Sequence, residues 1–342
     1  MDECPAKGEK PVKGQKPARG EKPVKGFIVR GSRNIFTVRI EEEEKEIECR
    51  IKGKVLKGVE GYYNPLSPGD VVEIEDGQIT GVEKRRNEFA RYNQKGQAPQ
   101  LLAANVDLVV CVTSVSSPPF RPRFLDRALL QADAANIPAA IVCNKYDLAQ
   151  NGEDPDVEER LSDFQRIGFP VFRLSVLSGE GLDEFKRFIL GKFSVLVGQS
   201  GVGKSSLIMA LIPGLEIKTG AVNEKFDRGN HTTTQGVLLE MPASIAPPTG
   251  LAPNIKTRII DTPGIRRFAP TGIEAGELLF YMREFAPQAG KCSYGLSCSH
   301  ETEPGCKIME AVHAGVIHED RYESFLRIRR ELSGKINYPD YD

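Results

Sequence analysis

Three things are scarce in this chain of 342 residues, and each scarcity excludes something. There are only seven cysteines; Cys4, Cys49, Cys111 and Cys143 are scattered, which argues against a disulfide framework. The formal net charge is −1, so a nucleic-acid partner must be met by local basic patches and not by a globally cationic surface. No apolar run approaches the length of a bilayer span, and Met1-Asp2-Glu3-Cys4-Pro5 lacks the apolar core of a secretory leader. The expectation is a cytoplasmic monomer with no membrane partner, built of two or three domains.

What is present is a phosphate-cradling loop. Gly198-Gln199-Ser200-Gly201-Val202-Gly203-Lys204-Ser205 spells G-x-x-x-x-G-K-S, with Phe193–Val197 as the entering strand and Ser206–Ile212 as the leaving helix. Such a loop turns successive N–H groups inward as an anion nest, and the helix N-terminus adds partial positive charge. Lys204 is expected to reach the β- and γ-phosphates and Ser205 to ligate Mg²⁺, with Ser206 following in the nucleotide shell.

Around that loop the chain divides into four stretches. Residues 1–26 repeat AKGEKP, VKGQKP, ARGEKP and VKG, a low-complexity basic tail expected to be disordered. Residues 27–88 read as five or six short strands separated by turns, which suits a small all-β barrel of the OB-fold kind. Arg50, Lys52, Lys54, Lys57, Lys84, Arg85 and Arg86, with Tyr62 and Tyr63 for stacking, form either a nucleic-acid face or ordinary solvated strand edges. Residues 89–272 turn α/β: Asp107–Val112 and Ala139–Cys143 are continuous apolar runs typical of buried parallel strands, joined by a helix at Arg123–Asp133. Residues 273–342 read as helices flanking a cysteine cluster, with helical patterns at Ile273–Arg283, Lys307–His313 and Tyr322–Glu331.

Asn144-Lys145-Tyr146-Asp147 follows the second apolar run and matches the guanine-reading N-K-x-D pattern. The Asp147 carboxylate can accept from guanine N1–H and the exocyclic amine; adenine offers neither donor and would leave the charge unpaired. Ser175, in Leu174-Ser175-Val176, is expected to support the base. After the phosphate loop, Asp261-Thr262-Pro263-Gly264 matches D-x-x-G, with Asp261 supporting Mg²⁺ and the Gly264 N–H facing the γ-phosphate. Between them, His231-Thr232-Thr233-Thr234 is the candidate first switch, with Thr233 favoured over Thr232 as the Mg²⁺ ligand that releases the loop when the γ-phosphate leaves.

Base readers precede the phosphate loop, and the switches follow it, so the usual GTPase order is circularly permuted. Permutation is tolerated because domain termini commonly lie close together at the surface. Ile265 occupies the position where Ras-type enzymes carry the water-orienting glutamine. Water must then be positioned by His231 or by a group from a partner, and slow intrinsic hydrolysis stimulated by that partner is expected.

Cys292, Cys298, His300 and Cys306 give three thiolates and an imidazole within fifteen residues, the ligand set of a closed structural zinc site. Arg327, Arg329 and Arg330 offer the last helix either a basic face for RNA phosphate or a solvated surface.

Taken together, these motifs and Gln100-Leu-Leu-Ala-Ala-Asn-Val-Asp107 resemble the RsgA (YjeQ) family of circularly permuted small ribosomal subunit biogenesis GTPases, over about residues 27–335. The resemblance implies an N-terminal OB-fold, a central permuted GTPase domain and a C-terminal zinc domain that act on the 30S subunit and its 16S rRNA late in maturation, with subunit-stimulated conversion of GTP to GDP. It points to His231 as the catalytic histidine, beside Lys204 and Thr233, which the phosphate-loop and switch motifs mark as catalytic. Departures are the five-residue first cysteine gap, Val176 in place of alanine and a proline-rich insertion at 243–253. The competing reading is a GTP-gated rRNA-binding scaffold with negligible turnover.

Overall fold

The computed structural model describes residues 23–32, 34–40, 43, 45–53, 59–149, 155–215, 236–241 and 256–334. Most of the repeat tail, Lys54, Lys57, the histidine–threonine segment 231–234 and the insertion 243–253 lie outside them.

Five strands close the N-terminal barrel: β1 (Val24–Ser32), β2 (Ile35–Ile40), β3 (Lys45–Ile51), β4 (Val71–Glu75) and β5 (Gln78–Val82), paired β1–β2–β3–β5–β4 and back to β1. Alternation drives this: Phe36 and Val38 point inward with Ile28, Val72, Ile74 and Ile79. Each such side chain contributes roughly 1.5–3 kcal/mol on burial. β1 begins at Val24, where the last partial repeat unit pairs Val24 with Ile74 and Gly26 with Val72.

A hairpin that the sequence reading missed follows, β6 (Glu88–Asn93) and β7 (Ala98–Ala104). It wedges between barrel and sheet, with Phe89 against Phe268 and the Tyr92 amide donating to the Ala269 carbonyl at 2.8 Å.

The sheet comprises β8 (Leu108–Ser114), β9 (Ala139–Asn144), β10 (Val171–Arg173), β11 (Phe193–Gly198), β12 (Val237–Glu240) and β13 (Arg258–Asp261), in spatial order β10-β9-β8-β11-β13-β12. All neighbours are parallel except β12, which runs antiparallel to β13. Four helices cover it: α1 (Pro122–Ala134), α2 (Pro155–Arg166), α3 (Leu182–Ile189) and α4 (Lys204–Leu211). Both faces are buried, which is why β8 and β9 read as unbroken apolar runs. β12 also meets β1, with Arg30 opposite Val237, so one sheet continues into the barrel.

The C-terminal part carries α5 (Lys307–His313) and α6 (Glu319–Leu332). The helix expected over 273–283 is instead a single 3₁₀ turn at Leu278–Tyr281. Gly276 weakens an α-helix there by about 1 kcal/mol, and the tighter turn lets adjacent Leu278 and Leu279 both reach the core. α6 docks on α1 through buried charges: Asp126 accepts from Arg321 (2.9 Å), Arg160 (3.3 Å) and Ser324, Arg321 also grips Glu284, and Arg127 forks onto Glu331 at 2.6 and 2.7 Å. Among the described residues no helix is long and apolar enough to cross a membrane.

Candidate functional site

The motif residues converge at the carboxyl ends of β9, β11 and β13, where an open α/β sheet places its ligands. The phosphate loop leaves β11 and enters α4 at Lys204. Gly203 has φ +93°, and a β-carbon there would lie 2.2 Å from the Asn144 amide nitrogen, so glycine is required. Lys204 is buried, and its ammonium donates to the Gly198 and Gln199 carbonyls at 2.8 and 3.0 Å; a phosphate in the loop would compete for those donors. Ser205 and Ser206 sit half-buried in the first turn of α4.

Asp261 ends β13 with its Oδ1 buried and without a hydrogen-bond partner among the described residues. Burial pushes its carboxyl up to about 6, against the pull of Lys204, while burial brings the Lys204 ammonium down to about 8, against the pull of Asp261. A buried carboxylate oxygen with no partner among the described residues, within electrostatic reach of Lys204 in the phosphate loop, suits a hard, oxygen-seeking cation. Gly264 abuts the loop: a β-carbon on it would stand 2.9 Å from the Ser200 Cα. The Ile265 amide donates to the Gly198 carbonyl at 3.1 Å, and its side chain is buried in the core, so it faces away from the loop.

Asn144 is buried at the end of β9. Its amide donates to the Val202 carbonyl at 3.0 Å, and its Oδ1 accepts from the Lys145 and Val176 amides at 2.8 and 3.2 Å. Lys145 takes a left-handed φ of 58° and its ammonium donates to the Ser117 carbonyl, while Asp147 is exposed in a 3₁₀ turn at Tyr146–Leu148, with no ion-pair partner among the described residues. Ser175 is fully buried, and its hydroxyl accepts from the Ser178 amide at 3.1 Å, shaping the loop beside Asn144. His231 and Thr233 lie outside the described residues.

Cys292, Cys298, His300 and Cys306 are all buried, with their ligand atoms within 4.8 Å of one another. Cys292 Sγ lies 3.6 Å from His300 Nδ1 and 3.9 Å from Cys306 Sγ, and His300 Nδ1 lies 3.4 Å from Cys306 Sγ. Tetrahedral Zn–S and Zn–N bonds would set such edges at about 3.5–3.8 Å, so the cluster fits a four-coordinate metal. Outer groups fix the ligand loops: Arg329 donates to the Cys298 and Ser299 carbonyls, the Tyr322 hydroxyl to the His300 carbonyl at 2.5 Å, and the Lys307 amide to Cys292 Sγ at 3.3 Å.

Two proposed basic faces are altered. The Arg85 side chain is covered, forking onto Asp70 at 2.7 and 3.0 Å and reaching Glu88, and the Tyr62 hydroxyl donates to Glu88; both are structural. Arg86 pairs with Asp107 at 2.6 Å and Lys52 with Glu75 at 3.4 Å, leaving Tyr63 as an exposed aromatic. On α6, Arg329 is spent on the cysteine loop and Arg330 pairs with Glu301 at 2.8 Å. The linking role of Asn144 was the part of the site that sequence reasoning missed; spacing marks the residue but not its bonds to two other loops.

A phosphate loop on β11, flanked by β8 on one side and β13 on the other, with base-reading residues at β9, defines a P-loop GTPase whose chain has been cut and rejoined elsewhere. Comparison with known proteins agrees. The RsgA GTPase family matches residues 82–270. A Bacteroides fragilis protein named small ribosomal subunit biogenesis GTPase RsgA is 34% identical over 308 residues, covering 88% of this chain and 94% of its own. One of the same name from Gemmatimonas aurantiaca is 35% identical over 319 residues, covering 91% and 98%. The crystal structure of YjeQ from Thermotoga maritima superposes with a TM-score of 0.68 at 30% identity, covering 92% and 99%. YloQ, described as a circularly permuted GTPase, shares the fold at 23% identity, with a TM-score of 0.62 and coverage of 96% and 100%. The chain belongs to the RsgA GTPase family.

Proposed function

We propose that this protein is a cytoplasmic, monomeric GTPase that binds the 30S ribosomal subunit, contacts its 16S rRNA and acts late in its maturation, hydrolysing GTP with stimulation by the subunit. The observation that carries the reading is the meeting of Asn144, Lys204, Asp261 and Gly264 at one sheet end, in a chain whose relatives are named for that assembly step. The barrel from residue 27 to 88 and the metal-cluster domain from 273 onward are its subunit-contacting parts, and 89–272 its nucleotide domain.

In this reading Asp147 and Lys145 hold guanine, with Asn144 and Ser175 setting their loop. The amides from Gly198 to Gly203 cradle the phosphates, with Gln199, Ser200, Val202 and Ser206 around them, and Lys204 leaves its carbonyls to neutralise the β- and γ-phosphates. Ser205, Asp261 and Thr233 would hold Mg²⁺, which supplies charge neutralisation across the phosphates. The Gly264 amide faces the γ-phosphate. His231 positions the attacking water, because Ile265 is turned into the core. Cys292, Cys298, His300 and Cys306 would hold Zn²⁺ in a structural role, since the four together offer a full set of protein ligands.

Co-sedimentation tests the partner: the full chain, loaded with a non-hydrolysable GTP analogue or with GDP, is spun with 30S or 50S subunits. Pelleting with 30S that is stronger in the GTP-analogue state is expected. Equal pelleting with both subunits, or with neither, contradicts the proposal.

A further inference from the structure

A cavity of about 380 Å³ opens between the start of α1 and the segment following Gly264. Its walls come from Phe120 and Arg121 before α1, from Gln199 in the phosphate loop, and from Arg266 to Phe268. Phe124 and Phe268 line its apolar side, edge to face with ring centres 6.1 Å apart. Two further arginines on the wall are already neutralised: Arg123 by Glu323 at 3.1 Å and Arg127 by Glu331. Arg121 and Arg266 are exposed, and neither guanidinium has an ion-pair partner among the described residues. Asp320, the acidic residue on the wall, faces Arg160 at 3.6 Å.

We propose that this cavity takes one unstacked nucleotide of a single-stranded RNA segment. Its phosphate would lie between Arg121 and Arg266, and its base against Phe120. Guanidinium groups bind phosphate oxygens through paired, charge-assisted hydrogen bonds. Aromatic and guanidinium planes are the surfaces on which splayed-out RNA bases stack. The volume lies in the range of pockets that enclose a small ligand. An acidic peptide would satisfy the arginines but leave the aromatic wall uncovered.

The position of the cavity gives occupancy a consequence. Gln199 donates to the Arg266 carbonyl at 3.3 Å, and the Ile265 amide to the Gly198 carbonyl at 3.1 Å. The walls are therefore tied to the loop that senses the γ-phosphate, and an RNA strand held there fixes the segment after Gly264. This names the RNA contact through which the subunit would act, and so rests on the proposed function.

The test uses the full chain and three variants, Arg121→Ala, Arg121→Lys and Phe120→Ala, after confirming that each binds GTP as the parent does. Two readouts are taken: the salt dependence of 30S binding in the GTP-analogue state, and ultraviolet cross-linking of that complex with mapping of the modified peptide. Loss of one phosphate contact should lower the slope of log K against log salt by about 1 for Arg121→Ala, with Arg121→Lys restoring it. An RNA adduct is expected in the peptide holding Phe120, and Phe120→Ala should abolish it. An unchanged slope together with no adduct at that peptide overturns the proposal, as does cross-linking of a ribosomal protein there. If the parent itself fails to bind 30S, the proposed function fails, and the cavity is then judged on a fluorescein-labelled oligoadenylate octamer. Binding weakened by Arg121→Ala and Phe120→Ala supports it, and binding indifferent to both overturns it.

Discussion

Asn144, at the end of β9, and Val202, in the phosphate loop, are joined by a 3.0 Å hydrogen bond from the side-chain amide of the first to the carbonyl of the second. Because the same side chain accepts from the Val176 amide, one buried residue holds the base-reading loop, the phosphate loop and the loop of Ser175 in register. Leaving such buried partners unsatisfied costs about 1–3 kcal/mol. Asn144→Ala should therefore weaken GTP and GDP together, by roughly 5- to 150-fold, while keeping the preference for guanine over adenine. Asp147→Ala should instead collapse that preference. Titration of labelled GTP, GDP and ATP against both variants separates the two roles.

Asp261 is ionised at neutral pH at a cost, because its buried Oδ1 has no partner among the described residues and burial holds its carboxyl up at about 6, above the ordinary 3.8. A raised carboxylate favours the folded state most at low pH, and that advantage disappears as pH rises from about 4 through 6. For the protein free of nucleotide and magnesium, Asp261→Asn should melt about 2–8 °C above the parent at pH 8. The difference should shrink toward zero as pH falls below about 4, and the variant should lose affinity for Mg·GTP. Calorimetric melting across pH 4 to 8 checks the sign; a variant less stable at pH 8 would contradict it.

The Arg85–Asp70 pair lies under the barrel wall, with only 6% and 0% of the two side chains exposed. Removing one member strands the other, so Arg85→Met should cost about 3–5 kcal/mol. Replacing both by apolar residues should recover much of that loss. Denaturant unfolding of the single and double variants reads this directly; a single variant as stable as the parent would show that the pair does not hold the barrel.

Metal removal should act on the C-terminal part first. Purified protein should carry one zinc per chain, and Cys306→Ser or a strong chelator should expose α5 and α6 to protease. GTP binding should survive, because the nucleotide loops make no contact with the cluster among the described residues. Elemental analysis with limited proteolysis checks both parts.

Much of this was legible in the sequence where chemistry forces residue type. The loop from Gly198 to Ser205 demands glycines, the cysteine and histidine spacing suits four ligands gathered around one metal ion, and the runs at Leu108–Ser114 and Ala139–Asn144 demand a sheet covered on both faces. Tertiary choices were not legible. The β6–β7 hairpin lacks a strong turn signal, with Gly96 and Gln97 preceding its second strand and only Gln97 in the left-handed region. Arg85 looked like a candidate for nucleic-acid contact until its partner Asp70, fifteen residues earlier, was placed beside it. The helix expected at 273–283 failed because apolar periodicity does not distinguish a helix from a 3₁₀ turn packed by two adjacent leucines.

If the subunit switches on hydrolysis, GTP turnover reads it directly, measured for the full chain alone, with 30S and with 50S subunits, with ATP as the control nucleotide and His231→Ala alongside. Slow turnover alone, strong stimulation by 30S only, no ATP hydrolysis, and loss of stimulation in the variant are expected. Tight GTP binding with turnover that stays flat in the presence of 30S would contradict that stimulation and leave a GTP-gated scaffold.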